Sequence, residues 1–537
     1  MLHPFRPEFL AVSLAVSFAA TTLGYSQHQA QRVTASPPIP SLKDRAEATA
    51  SPSPPAERGK SADAVFSRAR VVSLARALAR EPFRKPANMA PKSAAELTYD
   101  QYHRIEFKRD SADWRQTPNK RFRIHYDVQG YLFNTPIAVN LVQNGQSRPR
   151  PYRPEDFNFF DLPLSPEDIR SLAFAGFHLT TPMNKSGKFD DLINFRGASF
   201  LRVLGAGVDY GASARGLAVN TASPAGEEFP AFREFWIEDP GDGDTITIHA
   251  LLDSPNLAGA YTFVVTPGSN TIVDVVASVF PRTTLTNVGV APVSSMFDFA
   301  PHDQHPARRD VRPRVHDSEG LLIHLRSGEW AWRPLINPDK LEFSVFANQP
   351  PLGFGLFQRD RDPADYQDLE ARYETRPSVW ITPRSKWGPG KLTLIEIPTE
   401  NEFNDNIVLF WKPDAPWKAG GEINFAYRMA WGLSPRIPPV ASVGQSRAGR
   451  SLHNDSPFYL IDFDTAGIGG EASLAPSVST SAGVIRNVNL MENPVDGGMR
   501  LTFELDPGNA AMAELRANLT RAGEPVSETW LFRWRPQ

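Results

Sequence analysis

The segment Thr245-Ile-Thr-Ile-His-Ala-Leu-Leu-Asp-Ser-Pro-Asn-Leu-Ala-Gly-Ala-Tyr-Thr-Phe-Val-Val-Thr-Pro-Gly-Ser-Asn-Thr-Ile-Val-Asp-Val-Val-Ala-Ser-Val-Phe280 decides the fold class. Its three runs, 245–252, 261–266 and 271–280, are dense in Val, Ile, Thr and aromatic residues, and turn formers separate them. Short β-branched runs between Pro, Gly, Asn and Ser are strands. Working outward, the same signature recurs at 122–128, 341–346, 392–397 and 407–411, then at 458–463, 499–505 and 529–534. With 49 prolines and 36 glycines in 537 residues, long helices should be few. The expected fold is all-β. The helical exceptions are a helix from Asp63 to about Arg80, a short one within 165–175 capped by Ser165, and 510–519 on composition alone. Pro240-Gly241-Asp242-Gly243-Asp244 reads as a hairpin turn, because no Glu follows at the loop position a calcium site requires.

Composition shifts divide the chain. Residues 9–27 carry no charge and follow Arg6, so 1–27 reads as a secretory signal, with an uncleaved anchor and a cytosolic chain as the alternatives. Residues 28–62, rich in Pro, Ala and Ser, read as a disordered tether that cannot bury enough apolar surface to fold. A large β-sandwich domain with a leading helix is expected over 63–432. Pro435, Pro438 and Pro439 mark a linker over 433–450, and a small β-sandwich fits 451–537.

Lys plus Arg number 57 against 60 Asp plus Glu, a net charge of −3, so no basic footprint points to nucleic acid. The absence of cysteine excludes disulfides, thiolate nucleophiles and Cys-ligated metals. Gly205-Ala-Gly-Val-Asp-Tyr-Gly211 carries its third Gly one place late for a dinucleotide loop. Arg215 stands where a nucleophile elbow around Ser213 needs Gly. His302, His305 and His316 lie in a loop among prolines. No cofactor and no metal are therefore expected. Carboxylates and tryptophans remain. Glu329-Trp330-Ala331-Trp332-Arg333 puts two indoles on one face of an extended strand. Trp380, Trp387 and Trp411 follow, with Asp360, Asp362, Asp365, Asp368 and Glu370 between. Aromatic rings cover the C–H faces of sugars, polar groups bind their hydroxyls, and two carboxyls supply acid and base. Taken alone, these residues select no catalytic pair, and buried core remains the alternative for the indoles.

Several motifs occur in a telling order: Thr98-Tyr-Asp-Gln-Tyr102, Gly197-Ala-Ser-Phe-Leu-Arg202, Ser213-Ala-Arg-Gly216, His316-Asp317-Ser318, Trp332-Arg333-Pro334-Leu335, Arg376-Pro377-Ser378 and Asn404-Asp405-Asn406. From about Ala64 onward they closely resemble the periplasmic glucan biosynthesis proteins G and D, a family that acts on osmoregulated periplasmic glucans in Gram-negative bacteria. The resemblance implies a periplasmic location and a large N-terminal β-sandwich joined to a smaller C-terminal immunoglobulin-like sandwich. It also implies an activity similar to inverting hydrolysis of β-1,2-linked glucan, with Asp405 as general acid and Asp317 as the base that activates water. To stay protonated, such an acid needs burial or a nearby negative charge, for which Glu402 is the candidate. Glu329, Trp330, Trp332, Arg333 and Trp380 are expected to bind substrate, as are Arg376, Asn404, Asn406 and Trp411. The implied partners are a β-glucan polysaccharide and a membrane glucan synthase. The alternative function is a non-catalytic protein that binds glucan and organises it for that synthase. Three departures from the family pattern stand out: the long tether, Asp298 and Ala300 where an apolar residue and Gly are expected, and apolar Phe403 in a normally polar loop.

Overall fold

The computed structural model describes residues 65–117, 121–304, 310–466, 468 and 473–536. The expected signal and tether, together with Asp63 and His305, lie outside the described residues.

The fold is all-β, as expected. The quoted segment forms three successive antiparallel strands, Ile246–Ser254, Leu257–Thr266 and Thr271–Pro281. Alternate side chains point to opposite faces of a strand. Ile246, Ile248, Ala250 and Leu252 therefore enter the main core with Phe263, Val265, Val273 and Val275. The opposite face receives the leading helix, Arg68–Ala79, whose Val71 and Ala75 pack against Trp236, Leu251, Ala260 and Phe280. Arg282 donates to Leu78 O at 2.8 Å and Glu81 O at 2.9 Å, satisfying carbonyls at the helix end. The 240–244 turn joins Ala231–Glu238 to Ile246–Ser254 as an antiparallel hairpin.

A second sheet faces this one across the core. It runs from Arg123–Val128 through Phe174–Thr181, Asp190–Arg196, Phe200–Val203, Ser213–Arg215, Val288–Ser295, Ile407–Pro413 and Gly390–Glu396 to Glu342–Phe346. Phe177, Phe195, Leu201, Val293, Leu409 and Trp411 are its contribution to the shared interior.

The C-terminal region is also a sandwich, but it is not hung from a free linker. Its strand Thr529–Trp534 pairs in parallel with Trp330–Pro334, placing Trp530 opposite Trp332, so the first sheet continues into the C-terminal region. A four-stranded sheet, Ser442–Arg450, Pro457–Asp464, Met499–Asp506 and Val484–Glu492, completes that sandwich. The linker expected over 433–450 is thus shorter. Its last nine residues are strand Ser442–Arg450, where Val443 and Ser446 are buried.

Two helical expectations also change. Most of 510–519 belongs to strand Ala513–Arg521, whose Ala513, Leu515, Ala517 and Leu519 are buried while Glu514 and Arg516 face out. That period of two lets the sheet override helix-forming composition. The helix within 165–175 is confined to Pro166–Ser171, with Ser165 Oγ accepting from Asp168 N at 3.0 Å; strand Phe174–Thr181 follows.

Candidate functional site

The site forms where the strand Val288–Ser295 ends and the short strand Phe297–Phe299 begins. Asn406 brackets this junction. Its Oδ1 accepts from Phe297 N at 2.8 Å, and its Nδ2 donates to Phe297 O at 2.9 Å and Ile397 O at 3.1 Å. Asp405 is the preceding residue, at the mouth of strand Ile407–Pro413. From the other side, Asp317 donates its N–H to Met296 O at 2.9 Å. Met296-Phe297 is thus held by Asp317 directly and by Asn406, the neighbour of Asp405, although 88 positions separate the two aspartates in the sequence. His316 stacks on Phe297 with ring centroids 5.5 Å apart, and its Nδ1 lies 2.7 Å from Gln358 Oε1. Burial drives the His316 pKa well below its ordinary value, so the ring is neutral. Gln358 Nε2 donates to His316 O at 2.8 Å and Tyr373 O at 2.9 Å, tying the Asp317 loop to the 371–376 segment. A small apolar cluster of Met296, Phe299, Val315, Tyr366 and Tyr373 supports this assembly from below.

Burial pushes the Asp317 carboxyl up to about 6. Arg376, with Nε 3.5 Å from Asp317 Oδ1, opposes that rise, and the charges of Asp405 and Glu402 add to it. Arg376 is itself fixed by donating to Tyr210 O and to Ala371 O. Asp405 Oδ2 accepts from Ser213 Oγ at 3.2 Å. Arg202 lies in strand Phe200–Val203, where its neighbour Leu201 pairs with Ala214, next to Ser213. Burial lowers the Arg202 pKa, while Asp405 and Asp317 act to raise it. The Arg202 backbone is paired opposite Asn194, and among the described residues its guanidinium is engaged by the charges of Asp405 and Asp317 without a close ion pair. Glu402 is held by Arg312, which also binds Asp310 at 2.8 Å and Asp368 at 2.8 Å. This ties the Asp405 loop to two others.

Two aspartates, two guanidinium groups and a hydroxyl in one cluster form a polar site able to hold a neutral, hydroxyl-rich ligand and to move a proton. The family description "Periplasmic glucan biosynthesis protein, MdoG" matches residues 66–534. The chain belongs to this family. Its similarity to glucans biosynthesis protein G of Vibrio cholerae serotype O1 is 45% identity over 474 residues, 87% of each chain. To glucans biosynthesis protein G 1 of Shewanella oneidensis it is 41% over 535 residues, covering 99% of this chain and 98% of that one. Among solved structures, a polysaccharide lyase aligns over 59% of this chain and 38% of its own, with 10% identity and a TM-score of 0.20.

In this MdoG-family chain the residues expected at the site separate into two groups. Asp317, Asp405 and Arg376 come together, with Asn404 half-buried beside Asp405. Asn406 is fully buried, and its side-chain amide is spent on the Phe297 and Ile397 backbone, so it shapes the loop and does not reach a ligand. The tryptophan platform is overturned. Trp330, Trp332 and Trp380 are buried in the core that joins the two sandwiches, and Trp411 lies inside the large one. Strand Trp330–Pro334 is internal to its sheet, between Gly320–His324 and Thr529–Trp534, and its indoles share one buried cluster with Tyr459, Phe503 and Trp530 of the C-terminal sandwich. Trp330 stacks on His324 at 4.0 Å, and the Arg359 guanidinium sits 3.6 Å over Trp332. Arg333 is buried against Glu396 at 3.3 Å, while Glu329 pairs with Arg516 of the C-terminal sandwich. These are structural positions.

Glu402 is also not a lone negative neighbour for Asp405, since Arg312 holds it. Asp298 is accommodated where an apolar residue was expected because Asn337 Nδ2 donates to its carboxylate at 3.2 Å. Sequence reasoning missed Arg202 and Ser213. Both lie inside quoted motifs, but only strand pairing shows that they meet Asp405. Arg312 carried no sequence signal at all.

Proposed function

We propose that this protein acts in the periplasm on β-1,2-linked glucan and cleaves its backbone by inverting hydrolysis. The observation that carries the reading is the pinning of Asp317 and of Asn406, the neighbour of Asp405, to one short segment, with Arg202 acting on both aspartates. In this mechanism Asp405 protonates the departing glycosidic oxygen, and Asp317 takes a proton on the path from attacking water, directly or through a substrate hydroxyl. A carboxyl pushed up to about 6 is a stronger base than an ordinary aspartate, yet it remains mostly ionised at neutral pH. Arg376 orients Asp317, and Ser213 orients Asp405. Arg202 binds sugar oxygens and steadies the charge of the ionised Asp317.

The test is to incubate the protein with linear β-1,2-glucan, count new reducing ends and determine the anomeric form first released. Cleavage with inversion, lost in Asp405→Asn, supports the reading. Saturable binding with no new reducing ends would instead support a glucan-organising role beside a membrane synthase.

A further inference from the structure

Strands Gly320–His324, Gly353–Phe357 and Ser378–Pro383 are antiparallel neighbours, in that order, in the first sheet. Asp317, Gln358 and Arg376 lie beyond one end of the three. Residues 325–328, 350–352 and 384–387 lie beyond the other, and the strand Gly320–His324 alone sets the two ends about 13 Å apart. At this far end the segments surround an open cavity of about 430 Å³, lined by Arg326, Pro351, Leu352, Pro383, Arg384 and Lys386, with Ser385 completing the wall. That size suits a small molecule.

The charge of the lining has one sign. It holds two guanidinium groups and an ammonium, and no carboxylate. Among the described residues, the Arg384 and Lys386 side chains form no ion pair or hydrogen bond, and the Arg326 side chain is engaged through Nε alone, to Pro350 O at 2.8 Å. Arg312, Arg333 and Arg359, by comparison, all have carboxylate partners. The net charge of the chain is −3, so this cluster is not part of a generally basic surface. Cations gathered without an acid repel one another, and a cleft lined by one sign of charge concentrates the opposite ion. The donors are also held in place in advance. Ala426 O accepts from Arg384 N at 2.9 Å and from Trp387 Nε1 at 3.2 Å, while Ala426 N donates to Ser385 Oγ at 2.9 Å. Leu352 N donates to His324 O at 2.8 Å, and the Arg326 bond to Pro350 O joins the same two segments. Such pre-organisation lowers the entropy lost on binding.

The donor types define the ligand. A guanidinium offers forked N–H groups that match the oxygens of a phosphate, and an ammonium adds a compact charge. Three cations are balanced better by a dianion than by a single carboxylate, and a phosphate group carries about −1.5 to −2 at neutral pH. We propose that Arg326, Arg384 and Lys386 form a binding site for a phosphate dianion, free or esterified, at the end of the first sheet opposite Asp317. Pro351, Leu352 and Pro383 give the carbon atoms of an ester an apolar wall. The site is independent of the glucan reading above, since it shares no residue with the Asp317–Asp405 cluster.

Calorimetric titration of the full chain at low salt with glucose 1-phosphate, and separately with inorganic phosphate, tests the site. Binding should weaken as NaCl is raised, because these cations are exposed. Arg384→Gln should weaken it roughly tenfold, the scale of one charge-assisted contact, and the triple variant Arg326→Gln/Arg384→Gln/Lys386→Gln should abolish it. The thermal midpoint of the triple variant without ligand should be unchanged, since none of the three side chains is buried. Glucose 1-phosphate binding more tightly than inorganic phosphate identifies a soluble ester as the ligand, and equal binding identifies the free ion. Sedimentation with phosphatidylcholine vesicles only when they contain phosphatidic acid, lost in the triple variant, identifies a lipid headgroup. Each of these outcomes supports the phosphate site. If wild type binds none of the three phosphates, or the triple variant binds them as wild type does, the proposal is overturned.

Discussion

Replacing Asp317 by Asn should make the protein more stable at neutral pH while abolishing the glucan cleavage proposed above. The Asp317 side chain is 14% exposed, and burial lifts its pKa from an ordinary 3.8 to about 6. The folded state therefore favours the protonated carboxyl more than the unfolded chain does. That advantage is fully present below about pH 4, and it is lost as pH rises to about 6 and the ionised form is forced into the site. Converted at ~1.4 kcal/mol per tenfold, the rise from 3.8 to about 6 corresponds to ~3 kcal/mol, of which ~2 kcal/mol develops between pH 4 and pH 7.5. Asn has nearly the same shape and no charge, so the variant escapes this penalty. For a body spanning residues 66–534, an unfolding entropy near 1 kcal/mol per degree turns ~2 kcal/mol into about 2 °C. The assay is thermal or urea unfolding of both proteins at the two pH values. Asp303 and Asp360, each raised to about 7, also titrate in this range, but they are common to both proteins and cancel in the comparison. A stability difference between variant and wild type that does not change from pH 4 to pH 7.5 would refute the reasoning.

Further outcomes follow from other parts of the structure. The kcat/KM for glucan should rise as pH increases through about 6, where the Asp317 carboxyl becomes an active base; a flat profile between pH 5 and 7 would remove it from that role. Trp332→Ala should destabilise the protein by about 3–5 kcal/mol in urea unfolding, as expected of a buried indole, while the folded fraction keeps its affinity for glucan. Arg202→Gln should reduce glucan cleavage and move the acidic limb of the pH–rate profile upward, because a cation favouring the ionised Asp317 is gone. Glu528→Gln should loosen the C-terminal sandwich by roughly 3 kcal/mol, since Glu528 is fully buried and accepts from Arg359 at 2.6 and 2.7 Å and from Val443 N at 2.8 Å. Limited proteolysis would register that change.

The sequence by itself determined the strands. Runs such as 271–280 and 529–534 occur almost where strands Thr271–Pro281 and Thr529–Trp534 form, because β-branched and aromatic residues between turn formers have few other stable conformations. Sequence likewise marked Asp317 and Asp405, through resemblance and not through spacing. Tertiary structure decided what the tryptophans do. Alternation in Trp330-Ala331-Trp332 says that two indoles share a face, but not whether that face meets water or another domain; packing with Tyr459, Phe503 and Trp530 of the C-terminal sandwich closed it. The same limit explains the missed Arg202 and Arg312. Each works through neighbours brought from distant strands or loops, and a linear pattern records a residue's own face but not what lies across from it. It also explains Asp317, whose raised pKa arises from burial and from a second aspartate 88 positions away. Local sequence fixes backbone preference, whereas desolvation and charge coupling act through space and exist only once the sheets have packed.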